Sequence, residues 1–300
     1  MKKRSKAGKY ILILLMILLV VALGIITAIG YGRRNPKMEE KEEPFRQKTE
    51  ITPEPTELPS LKPTDESAHP VEEKEEPEKS VTAEEVVLTE TGKKVAIDPG
   101  HQAQGNSEQE PIGPGASQRK AKVASGTTGR TTGVPEYQLN LDVSLKLRDE
   151  LKARGYEVYM IREDNDVNIS NAERAQAAAA SGADILIRIH ANGSENPSVS
   201  GALTMAPSDS NPFLDGELIA KCQFLSEKVI SSFCAATGAN NQGVYQTDEM
   251  SGLNWCTIPV TIVELGYMTN PQEDGRMQTE EYQNVMAQGI ADGIDQYFAS

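Results

Sequence analysis

The chain reads as an α/β protein. Its single globular domain, residues 92–300, is expected to be a mostly parallel twisted sheet flanked by helices on both faces, preceded by a transmembrane helix and a disordered linker. Three observations predict this. From Gly92 onward, short apolar runs of strand length alternate with longer runs of helical period. Three of the apolar runs end on a residue with chemistry: Val95-Ala96-Ile97-Asp98-Pro99-Gly100 leads to His101, Ile185–Ile189 to His190, and Val260–Val263 to Glu264. The first ninety or so residues are too polar, or too uniformly apolar, to build a core of their own.

Residues 1–9 are basic, with five Lys/Arg and no acid, and residues 10–31 are apolar without a charge. About twenty such residues match the hydrocarbon thickness of a bilayer. The basic flank keeps the N-terminus cytoplasmic and directs the rest outward, so 10–31 is expected to be a signal-anchor. A cleaved signal peptide, with secretion, is the alternative; its apolar core is normally shorter, about 7–15 residues. Residues 32–91 are rich in Glu, Pro, Lys and Thr, hold His69 and almost no aromatics, and read as a charge-extended linker.

In the domain, residues 94–98 form the first strand and 102–135 a long polar loop. Pro135 opens a helix that runs to Arg154 and stops at Gly155, with Leu139, Val143, Leu147 and Leu151 on one buried face. Residues 157–161 are a strand. Ser170 and Glu173 make a capping box for an Ala-rich helix, 171–181. Strands follow at 184–190 and 202–206, then a long helix at 214–237, a polar loop, a strand at 259–264 and a last helix at 280–298.

The net charge of -14 divides into +5 over residues 1–30, -8 over 31–91 and -11 over 92–300. An acidic domain with one Trp and no basic aromatic stripe is not a nucleic-acid binder. Cys222, Cys234 and Cys256 lack the spacing of a zinc knuckle or redox motif and lie in apolar-periodic segments, as small core residues do.

The chain has only 3 histidines, and two of them stand at equivalent strand tips. The carboxyl edge of an α/β sheet is where ligands bind, and paired histidines there supply two of the three protein ligands of a hydrolytic zinc centre. Glu136 is the best third ligand, in the first turn of the helix that returns from that edge; alone, it would simply complement the helix dipole. Glu264 ends an apolar strand, where a bare carboxylate is costly. It is either the general base and acid beside the metal or an ion-pair partner for Arg174 or Arg188. Asp98 either orients His101 or a nearby backbone group, or makes the turn. Asn192 and Asn270 are candidate substrate-amide ligands or turn residues, and Trp255 a groove wall or core residue.

Four motifs in order, Lys94–His101, Pro135-Glu136, Ala183–Asn192 with its Ile189-His190-Ala191-Asn192 end, and Val263–Asn270, resemble the zinc-dependent N-acetylmuramoyl-L-alanine amidases of the Amidase_3 type over residues 93–298. The resemblance implies one Zn2+ on His101, Glu136 and His190, Glu264 as catalytic glutamate, and peptidoglycan as substrate, cut between N-acetylmuramic acid and L-alanine. It also implies an arginine near the position of Arg174 and leaves room for an activator protein. The 34 residues between His101 and Glu136 are more than the short Gly-rich turn common in the family; this insertion, with Gln118-Arg119-Lys120, would line the substrate groove or cover it. With the anchor, the expected location is the bacterial cytoplasmic membrane, single-pass, the domain outside. A zinc peptidase acting within the stem peptide and a non-catalytic wall-binding anchor are the rival readings.

Overall fold

The computed structural model describes residues 90–300. The expected transmembrane segment and linker lie outside the described residues. Among the described residues no helix is long and apolar enough to cross a membrane.

In chain order the elements are β1 (Lys94–Pro99), β2 (Asn106–Pro111), β3 (Arg119–Val123), α1 (Glu136–Ala153), β4 (Glu157–Met160), α2 (Asn171–Ala180), β5 (Ile185–Asn192), β6 (Ala202–Ala206), α3 (Gly216–Thr237), β7 (Asn241–Gln246), α4 (Ser251–Asn254), β8 (Val260–Tyr267), α5 (Pro271–Met277) and α6 (Glu280–Phe298). Six strands form one sheet in the order β4-β1-β5-β8-β6-β7. All neighbours run parallel except β6 and β8, which are antiparallel. The mixed sheet has helices on both faces. On one face, Val95, Ile97, Ile187 and Val263 pack against α1, α3 and α6 through residues such as Leu147, Phe233 and Ile290. On the other, Ala96, Leu186 and Ile262 meet Ala175 and Ala178 of α2 and Leu253 of α4. The central strands are covered on both sides, which is why they read as continuous apolar runs.

Four expectations need correction. The 102–135 stretch is not a plain loop: it carries the antiparallel β2–β3 hairpin, whose strands are polar and exposed or half-buried apart from buried Glu110 and Val123. Local pairing needs no apolar alternation, so the hydrophobic pattern did not mark it. The polar loop after α3 contains β7, an edge strand with most side chains in solvent. A short helix, α5, follows Asn270, which caps it by accepting from Gln272 N and Glu273 N, with Pro271 in the first turn. Finally, β8 runs on to Tyr267, so Glu264 lies inside the strand instead of ending it. The three cysteines are free thiols, Cys222 and Cys256 buried.

Candidate active site

Parallel register sets the site. Asp98 of β1, Arg188 of β5 and Ile262 of β8 lie in one row, and His190 and Glu264 are direct partners two residues further toward the carboxyl edge. Because side chains alternate along a strand, His190 and Glu264 project from the same face as Arg188 and Ile262. The turn after β1 brings His101 to the same edge. Its backbone is left-handed, φ 59°, a conformation costing an L-residue about 1–2 kcal/mol. A Cβ at the preceding Gly100 would collide with the His190 ring, so only glycine lets the turn approach β5 so closely.

Two arginines hold this turn. Arg174 of α2 donates to Asp98 Oδ1 at 2.7 Å, to the carbonyls of Pro99 and His101 at 3.0 Å, and to Gln102 Oε1 at 2.9 Å. Arg162, after β4, donates to the carbonyls of Pro99 (2.8 Å), Gly100 (3.0 Å) and Tyr137 (2.9 Å), tying the turn to α1. Arg188 donates to the other Asp98 oxygen at 2.8 Å. Burial alone would raise the Asp98 carboxyl, but the charges and hydrogen bonds of Arg174 and Arg188 bring it down to about 2. Asp98 therefore reaches His101 only through Arg174, and both arginines proposed as partners of Glu264 belong to Asp98. Sequence reasoning missed Arg162, which sits in a polar run, Arg162-Glu163-Asp164-Asn165, with no spacing signal.

The structure brings His101, Glu136 and His190 together as a group able to hold a metal ion, one donor atom from each lying within 4.8 Å of the others. His101 Nδ1 donates to the carbonyl of Ala124 at 2.7 Å, which leaves Nε2 with its lone pair toward Glu136 Oε1, 3.1 Å away. His190 Nδ1 lies 3.2 Å from the same oxygen. Burial pushes the His190 imidazole down to about 4, keeping it neutral and able to donate a lone pair. The Glu136 side chain is further fixed by Thr127 N (2.8 Å to Oε2), Ala191 N (3.1 Å to Oε1) and Asn140 Nδ2 (3.3 Å to Oε1). A side chain at Gly126 would lie 2.9 Å from both Glu136 Oε2 and the His101 ring, so the cradle there also depends on glycine.

Glu264 shares a cavity of about 260 Å³ with His101 and His190. It is 9% exposed, and its Oε2 has no hydrogen-bond partner. Burial, and secondarily the Glu136 charge, push its carboxyl up to about 8. The remaining candidates fall away from the chemistry. Asn270 caps α5 and donates to Val199 O. Asn192 Oδ1 accepts from Gly193 N in a turn. Trp255 is partly buried and donates Nε1–H to Pro111 O, anchoring the hairpin.

Two imidazole nitrogens and a carboxylate facing an unsatisfied acid, at the carboxyl edge of an α/β sheet, are the arrangement of a metal-assisted hydrolase. Residues 95–296 match the family model described as N-acetylmuramoyl-L-alanine amidase, and the chain belongs to that family. An N-acetylmuramoyl-L-alanine amidase of Mycobacterium tuberculosis is 28% identical over 209 residues, covering 67% of this chain and 86% of the relative. An uncharacterised protein of Bacillus subtilis is 32% identical over 174 residues, 58% of this chain and 79% of its own. The crystal structure of the amidase Ami1 of Mycobacterium smegmatis superposes with a TM-score of 0.63 at 27% identity, covering 69% of this chain and 97% of that one. The chain is an amidase of this class.

Proposed function

We propose that the enzyme hydrolyses the amide between N-acetylmuramic acid and the L-alanine of peptidoglycan stem peptides, using one zinc ion held by His101 Nε2, Glu136 and His190 Nδ1. The residues fit that ion. The donor set is one that zinc favours, two donors have their protonation fixed by neighbours, and a buried acid stands beside them with an oxygen left unpartnered. When bound, zinc supplies Lewis acidity, polarising the amide carbonyl and acidifying water.

The protein's part centres on Glu264. Its carboxylate takes a proton from the attacking water as the C–O bond forms, then delivers it to the departing nitrogen as the C–N bond breaks. Water and amide thus become a carboxylic acid and a free amine. Surrounding burial raises the proton affinity of Glu264 to a value near neutral pH, which suits both transfers. The single observation that carries this reading is the orphaned Glu264 oxygen in the cavity it shares with His101 and His190. The apolar segment 10–31 and the linker 32–91 would place this activity outside the cytoplasmic membrane, within reach of the wall.

The test uses the full-length protein in detergent, as wild type and Glu264→Gln, incubated with muropeptides and analysed by mass spectrometry and metal analysis. Both proteins are expected to bind about one zinc per chain, and only wild type to release intact stem peptides beginning with L-alanine. Shorter peptides would make the enzyme a peptidase. A folded wild type that ignores supplied zinc and cleaves nothing would make it a binding module.

A further inference from the structure

The inserted hairpin is a fixed wall of the active site. Glu110 of β2, 5% exposed, accepts from Ser251 Oγ of α4 at 2.9 Å and from Ala172 N of α2 at 3.3 Å. Asn254 donates to Ile112 O, Asn171 to Lys122 O, and the indole of Trp255 to Pro111 O. Five hydrogen bonds from two helices and the residue after α4 thus clamp the hairpin over the edge of the sheet.

One charge on this wall is left for a ligand. Lys122 is paired with Glu108 at 2.8 Å, and Arg119, which donates to the carbonyl of Gln109, does not line the cavity. Lys120 lines the cavity that holds His101, His190 and Glu264. Its ammonium reaches only a backbone carbonyl, Glu249 O at 2.8 Å, and among the described residues no salt bridge claims it. Glu110 stands opposite Lys120 in the hairpin register, yet its two oxygens are used by Ser251 and Ala172. Arg188 also lines the cavity but is held by Asp98 and Asn171.

We propose that Lys120 is a specificity-determining residue that receives a free carboxylate on the amine side of the scissile amide, so that the preferred substrate is an anionic peptide. This rests on the amidase reading above. Met205, Met250 and Ile262 give the cavity an apolar floor suited to a methyl side chain. Its size, about 260 Å³, lies below the about 300–1,000 Å³ of pockets that enclose a drug-sized ligand.

The full-length protein is to be assayed on N-acetylmuramoyl-L-alanyl-D-glutamate and on its α,γ-diamide, which differ only in free carboxylates against carboxamides. Wild type is expected to show about tenfold higher kcat/KM on the carboxylate, the scale of one charge-assisted hydrogen bond, shrinking as salt is added. Lys120→Met should bring the ratio close to one, Lys120→Glu should invert it, and Lys120→Arg should keep it. A wild-type ratio near one, or a ratio that survives in Lys120→Met, overturns the role of Lys120 while leaving the amidase in place. Hydrolysis of neither substrate would overturn the amidase reading, and the role of Lys120 with it.

Discussion

Asp98 and Glu264 are both buried acids near the carboxyl edge of one sheet, on strands separated only by β5. They have opposite fates. Asp98 is met by Arg174 on one oxygen and Arg188 on the other, and its carboxyl sits at about 2. Glu264 meets no cation, keeps one oxygen unpartnered, and sits at about 8. The chemistry of the side chain is nearly the same in both. What differs is the neighbour each strand supplies: a satisfied carboxylate becomes part of the framework, an unsatisfied one a proton carrier.

The largest expected effect tests the second half of that contrast. Glu264→Gln should lower kcat by about 10³-fold, within the range for removing a general acid–base group, while folding stability rises or holds because a buried carboxyl without a partner is gone. A variant that keeps activity within severalfold of wild type would return Glu264 to the framework. Next, Asp98→Asn leaves Arg174 and Arg188 buried against a neutral amide and should cost about 3 kcal/mol or more in urea denaturation. A loss below about 1 kcal/mol would mean that the arginines are held by their carbonyl partners alone.

Acid titration of metal-stripped protein separates the two groups by sign. Asp98 titrates lower in the fold than its ordinary 3.8, so its stabilisation, about 2 kcal/mol, is complete above 3.8 and is lost as pH falls through about 2. Glu264 titrates higher in the fold than its ordinary 4.5, so ionising it opposes folding increasingly as pH rises from 4.5 to about 8. Relative to wild type, Glu264→Gln should therefore gain stability across pH 4.5–8, and Asp98→Asn should lose the ionisation part of its deficit as pH falls from 3.8 through about 2. Three parallel curves would refute the assigned difference. The smallest effect concerns the support of Arg174. Ser170 accepts from Glu173 N and caps α2; Ser170→Ala should cost about 1 kcal/mol, read from the thermal midpoint, with the zinc content unchanged.

The legible parts of the sequence were those where burial on two faces wrote a long apolar signal. The strand leading to His101 and those carrying His190 and Glu264 announced themselves, and register then placed the last two side by side. Glu136 was legible through its place in the first turn of α1. What could not be read were elements whose support is polar. The β2–β3 hairpin is held by Glu110 and side-chain amides, and β7 lies on an edge in solvent. Arg162 bonds to carbonyls, groups that every residue possesses, so no partner in the sequence betrays it. The antiparallel turn of β6 against β8 was equally silent, because a five-residue strand looks the same in either direction.

The pinning of the His101 turn also has a consequence for how the polypeptide matures. The turn takes its shape from Arg162 and Arg174, more than sixty residues downstream, and the cavity is completed only when β8 docks against β5. A nascent chain that has just exposed His101 therefore holds no preformed half-site to seize a stray cation. Tight metal uptake would serve as a clock for the docking of β5, α1 and α2 around that turn, the elements that carry or hold His101, Glu136 and His190.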